Sequence, residues 1–147
     1  MDIRSVLFPT DFSVYSEKAR EYAIYLGRRL NASIHILHVI EPLDYPEVDA
    51  EVQKFYKDLE AQMVKKMEKE REIFEKEGLS VDKSILIGQR WRVINTVAKE
   101  NNIDLIVMGS HGIKTDSGEL TVGTTSHKVV FSSPCPVLIV RHEEWSK

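Results

Sequence analysis

The chain has 147 residues, about one domain's worth, and its 42% hydrophobic content suffices for a packed core and excludes global disorder. Twenty Lys and Arg against 23 Asp and Glu leave a formal charge of −3, which excludes a strongly basic nucleic-acid binder and an acidic tail protein. A single cysteine excludes an intrachain disulfide, and no apolar run approaches the ~18 residues of a membrane span, so the expectation is a cytoplasmic domain with no membrane or nucleic-acid partner.

Ile3–Phe8 is a short apolar run stopped by Pro9 and reads as a strand. From Ser13 to Leu30, the residues Tyr15, Ala19, Tyr22, Leu26 and Leu30 recur at gaps of three and four, one stripe of a helix. Ser13 is placed to cap it with its hydroxyl, and Asn31 suits a left-handed exit. Ser33–Ile40 is β-branched and reads as a second strand, broken by Pro42 and Pro46. The Glu- and Lys-rich stretch from Glu47 to Glu77 keeps an apolar stripe through Val48, Val52, Phe55, Leu59, Met63, Met67 and Phe74, so it predicts one long cover helix ended by Gly78. Val81–Ile87 is a third strand, and Trp91–Asn101 a short helix with Val93, Ile94, Val97 and Ala98 inward. Ile103–Met108 is a fourth strand, Gly123–Ser133 a last helix and Val137–Val140 a final strand. Strands alternating with helices imply crossover connections, hence an α/β domain spanning residues 1–147 with an open parallel sheet covered on both faces.

In such sheets ligands bind beyond the carboxyl ends of the strands, where the strand order reverses. Strand one ends in Pro9-Thr10-Asp11-Phe12-Ser13, strand two in His38-Val39-Ile40, and strand four in Met108-Gly109-Ser110-His111-Gly112. Gly109 and Gly112 carry no Cβ and let the backbone approach a ligand. Gly123-Thr124-Thr125-Ser126 opens a helix with free N–H groups and three hydroxyls, a cradle for an anion. Each half alone reads first as ordinary structure, a strand-exit turn and a helix cap; both together, on consecutive elements of a parallel-sheet protein, favour a phosphate site. Asp11 reads equally as a ligand and as a partner of Ser13 in capping. Val39 reads as core.

The run MGSHG, a short loop, GTTS on a helix and a terminal PCPVLIVR strand, preceded by VLFPTDFS and ILHVIEP, resembles the universal stress protein family over nearly the whole chain. The resemblance implies a Rossmann-like fold with five parallel strands in the order 3-2-1-4-5. It further implies ATP in the crevice between strands one and four, in company with Mg²⁺. Asp11 would hold the ribose hydroxyls, and Val39 would meet adenine through its main chain with Pro9 and Thr10 nearby. Met108, Gly109 and Gly112 would line the ribose and phosphates, Gly123, Thr124 and Thr125 would cradle the phosphates, and His111 would contact a phosphate or brace its loop. In the same family the last strands of two subunits pair, which implies a homodimer through Val137–Val140. The expected function is a nucleotide-dependent regulatory protein of the stress response, not an enzyme, with hydrolysis slow at most; the alternative is a member that binds no nucleotide and serves as an interaction module.

Three features depart from the nucleotide-binding pattern. Ten residues, Ile113 through Val122, separate Gly112 from Gly123, where nine are usual in the family. Thr124 stands where Ser is common, and the loop carries Asp116 and Glu119, which repel a polyphosphate unless a divalent ion intervenes; Lys114 and Lys128 offset part of that charge. Gly118 and Gly123 imitate a P-loop spacing but lack its lysine. His35 and His38 lie three apart on a strand and face opposite sides, and Cys135, between two prolines, reads as inert packing.

Overall fold

The computed structural model describes residues 1–42, 49–110 and 124–142; of Thr124 only the backbone is described. In chain order the elements are β1 (Ser5–Pro9), a 3-10 turn (Val14–Ser16), α1 (Glu17–Leu30), β2 (Ser33–Ile40), α2 (Ala50–Lys76), β3 (Val81–Ile87), α3 (Arg90–Glu100), β4 (Leu105–Gly109), α4 (Thr124–Ser132) and β5 (Val137–Val140). The five strands form one parallel sheet in the order β3-β2-β1-β4-β5, as the resemblance implies. No helix among the described residues is long and apolar enough to cross a membrane.

The strands alternate their side chains between two cores. Val6, Phe8, Ile34, Ile36, Leu105 and Val107 face Ala19 and Ala23 of α1 and Met67 and Phe74 of α2. Leu7, Leu37, Val39, Ile106 and Met108 face Ile94, Val97 and Ala98 of α3 and Val129 of α4. Both faces are therefore closed, and the apolar strand runs of the sequence have their physical reason. As the sequence reading has it, His35 and His38 leave β2 on opposite faces: His35 Nε2 meets Ser84 Oγ at 2.9 Å and His38 Nδ1 meets the Thr10 carbonyl at 2.8 Å.

Several local expectations change. The buried row of α1 is Ala19, Ala23 and Gly27, not the stripe with Tyr22 and Leu30, which are 44% and 42% exposed. Small residues win because the helix lies close to the sheet: a Cβ on Gly27 would stand 3.0 Å from both Ile34 Cδ1 and Leu79 Cδ2. Asn31 does take the left-handed exit, at φ 53°. The long helix is one piece of 27 residues, started by Asp49, whose carboxylate accepts from the Val52 N–H at 2.9 Å. Its buried residues begin at Met63, and Phe55 is 49% exposed; Val48 lies outside the described residues. β1 and β4 each start and end later than the apolar runs suggest, at Ser5–Pro9 and Leu105–Gly109. Of the apolar residues of α4, Val129 is fully buried, while Val130 and Phe131 are 49% and 77% exposed.

Candidate functional site

The reversal of strand order lies between β1 and β4. On its other side β1 pairs with β2 through Pro9↔Leu37, and the Thr10 N–H continues to the Leu37 carbonyl at 2.9 Å. Against β4 the pairing ends two residues sooner, at Leu7↔Ile106. Pro9 and Thr10 on one lip and Met108 and Gly109 on the other thus lie beyond the last rung of the β1–β4 ladder. The opposite end of the same seam is tied shut. Asp104 Oδ2 accepts from the Arg4 N–H at 2.9 Å, the Ser5 N–H at 3.1 Å and Ser5 Oγ at 3.2 Å, while the Asp104 N–H donates to the Ser5 carbonyl at 3.1 Å. These bonds hold the Asp104 carboxyl below the ordinary range.

On the first lip Asp11 does what its capping reading requires. Its Oδ1 accepts from the Ser13 N–H and from Ser16 Oγ, each at 2.9 Å. Ser13 is no hydroxyl cap: it makes no side-chain cap bond, and its Oγ is buried without a partner among the described residues. The Ser16 N–H that a Ser13 hydroxyl cap would take goes to the Ser13 carbonyl at 3.1 Å. Asp11 Oδ2 carries no hydrogen bond among the described residues. Burial alone would raise the Asp11 pKa, but the Ser13 and Ser16 bonds and the charge of Arg90 outweigh it and hold the carboxyl below its ordinary range.

Val39 is 4% exposed and packs in the α3 core, as its plain reading has it. Its main chain is another matter. The Leu37 carbonyl faces β1, and alternation along the strand turns the Val39 carbonyl the same way, past the end of the β1 ladder. Met108 is buried and Gly109 half-buried at the end of β4. Beyond it, Ser110 is anchored by its N–H on the Val140 carbonyl at 3.0 Å. The Ser110 carbonyl accepts from Ser126 Oγ, also at 3.0 Å, and both serines are buried. That bond sets the first turn of α4 on the residue that leaves β4; Thr125, next to Ser126, is half-buried. It also corrects the expectation that all three hydroxyls of the helix start face an anion, since the Ser126 hydroxyl is spent on the protein. His111, Gly112 and Gly123 lie outside the described residues, as does the Thr124 side chain.

Arg90 and the task of His38 escaped the sequence reading at this end. Arg90 opens α3 with its N–H on Glu41 Oε1 at 3.3 Å, and its charge reaches both Asp11 and His38. The signal available was a cation just after the Gly88 turn at a strand's carboxyl end. His38 stands 8% exposed beneath the β1–α1 turn. Among the described residues no group of three or more His, Cys, Asp or Glu could hold a metal ion. The Cys135 thiol is raised by burial, in keeping with packing rather than reactivity.

A sequence profile of the universal stress protein family matches residues 2–141. The chain belongs to the universal stress protein family. Universal stress protein YxiE of Bacillus subtilis is 31% identical over 92% of this chain and 97% of its own. Universal stress protein MJ0577 of Methanocaldococcus jannaschii is 27% identical over 95% of this chain and 96% of its own. The solved MJ0577 structure matches with a TM-score of 0.88, over 97% of this chain and 99% of that one. A universal stress protein solved in complex with cAMP shares the fold at 22% identity and a TM-score of 0.72, over 96% of this chain and 98% of that one.

Proposed function

We propose that this universal stress protein binds an adenine nucleotide, ATP foremost, in the crevice between β1 and β4. The open carboxyl end of the β1–β4 seam carries this reading. The residues there fit the ligand's parts. Asp11 offers an ionised carboxylate with Oδ2 uncommitted, suited to ribose hydroxyls. The Val39 main chain, flanked by Pro9 and Thr10, offers amide groups to the adenine edge. Met108, Gly109 and Gly112 would line the ribose and phosphates; Gly123, Thr124 and Thr125 would receive the phosphates, with His111 beside them. Mg²⁺ would arrive with the polyphosphate and offset the charge of Asp116 and Glu119. That a relative of the same fold was solved with cAMP supports the choice of an adenine nucleotide.

The protein acts through its nucleotide-bound state in a stress response rather than by turnover. Asp11, the carboxylate on the β1 lip, is engaged by Ser13 and Ser16 and depressed in pKa, so it is a poor general base. The working form is a cytoplasmic homodimer. Among the described residues β5 is the edge strand of the sheet, and Phe131 and Val130 stand exposed on the adjacent helix. A second reading, an interaction module that binds no nucleotide, is favoured by one observation: Asp11 already has a structural task in capping. Isothermal titration with ATP and Mg²⁺ decides. Saturable binding that Gly123→Val abolishes is the expected result, and no binding up to millimolar ATP would leave only the interaction module.

A further inference from the structure

The turn that carries Asp11 is held from β2 at two consecutive residues. The Leu37 carbonyl takes the Thr10 N–H at 2.9 Å, and the His38 side chain takes the Thr10 carbonyl at 2.8 Å. A carbonyl only accepts, so His38 Nδ1 carries the hydrogen, and in the neutral ring Nε2 is bare. Both partners are buried, at 8% and 7% exposure, so this bond has no water to replace it cheaply.

The same imidazole supports a strained neighbour. Phe12 sits at φ 63°, a left-handed conformation that a bulky side chain adopts at a cost. Its ring lies 4.6 Å from the His38 ring at 32°, and its N–H donates to Thr10 Oγ1 at 3.0 Å. Asp11 stands between the two residues that His38 touches. The Asp11 bonds to Ser13 and Ser16 can form only while Phe12 keeps the chain bent back toward α1.

We propose that His38 is a positioning residue for the nucleotide crevice: its Nδ1–H on the Thr10 carbonyl and its ring against Phe12 hold the β1–α1 turn in the bent form that presents Asp11. This rests on the nucleotide reading above. His38 itself need not touch the ligand. Of the two contacts the Nδ1–H bond is the decisive one and the ring contact with Phe12 the lesser, so a side chain with an N–H near the same place should largely substitute for it, and an aliphatic one of similar bulk should not.

The test compares His38→Asn, which keeps an amide donor, with His38→Leu, which fills the space and removes it. ATP affinity by titration calorimetry is expected to stay within about 3-fold of wild type for His38→Asn and to fall by about 10-fold or more for His38→Leu. Ile103→Val, a core change at the closed end of the seam, should bind as wild type does, which separates positioning from general destabilisation. Nitrogen NMR should show His38 in the Nδ1–H tautomer. Hydrogen exchange at the Phe12 amide should be slow in wild type and His38→Asn and about 10-fold faster in His38→Leu. Binding and exchange unchanged in His38→Leu, or His38→Asn failing as fully as His38→Leu, would overturn the proposal alone. Wild-type protein that takes up no nucleotide would overturn it together with the nucleotide reading.

Discussion

The two ends of the β1–β4 seam are built from the same kind of strand and finish in opposite ways. At the amino end Asp104 gathers the Arg4 and Ser5 N–H groups and the Ser5 hydroxyl and closes the sheet. At the carboxyl end Asp11 gathers the Ser13 N–H and the Ser16 hydroxyl of the turn before α1, and the strands are unpaired past Leu7↔Ile106. Each aspartate is held ionised by hydrogen bonds, one as a clasp and one as a lip. The difference teaches where a parallel sheet can afford a crevice. Each carboxylate satisfies nearby donors, but only at the carboxyl end do the crossing chains diverge to helices on opposite faces, α1 on one and α4 on the other.

The largest expected effect comes from removing the core beneath the open end. Phe8 is wholly buried with its ring 5.5 Å from Phe74, so Phe8→Ala should cost about 3–5 kcal/mol in denaturant unfolding. Asp11→Ala is expected next: it removes both the cap and the candidate ribose contact. It should weaken ATP by about 10-fold or more and lower stability by about 1 kcal/mol. Ser126→Ala strips the buried Ser110 carbonyl of its donor and should cost about 1–2 kcal/mol, with weaker nucleotide binding because α4 loses its anchor to β4.

At the closed end Asp104→Ala should cost about 1 kcal/mol in unfolding and leave nucleotide affinity unchanged, since the clasp is largely open to solvent. The pH dependence follows in sign. Asp104 and Asp11 have folded pKa values below their unfolded ones, so their stabilisation is complete above the unfolded value and is lost as pH falls through the folded one. Asp104→Asn should therefore flatten part of the acid limb of a stability–pH curve.

The sheet order was implied by the family resemblance, whereas the succession of elements stood in the residues themselves, because each apolar run and each helical stripe reports a local periodicity. The stripe of α1 misled because spacing does not say how near a helix lies to its sheet; Ala19, Ala23 and Gly27 reveal that only once Ile34 and Leu79 are in place. Of the candidate site, the strand ends and the capping role of Asp11 were legible, while its choice between ligand and cap stood open in the residues. Ser13 as the cap was wrong because the Ser16 N–H closes on the Ser13 carbonyl and not on its hydroxyl. The tasks of Ser126, Arg90 and His38 were hidden, since each depends on a neighbour that only the folded chain supplies: Ser110, Asp11 and Thr10.

Mapping ATP·Mg²⁺ by amide chemical shifts bears most directly on the contrast between the two ends. Saturable shifts at Thr10, Asp11, Val39, Gly109, Ser110 and Thr125, with Arg4, Ser5 and Asp104 unmoved, are the expected result. Shifts centred on Arg4, Ser5 and Asp104, or none at any nucleotide concentration, would contradict a ligand crevice at the open end of the seam.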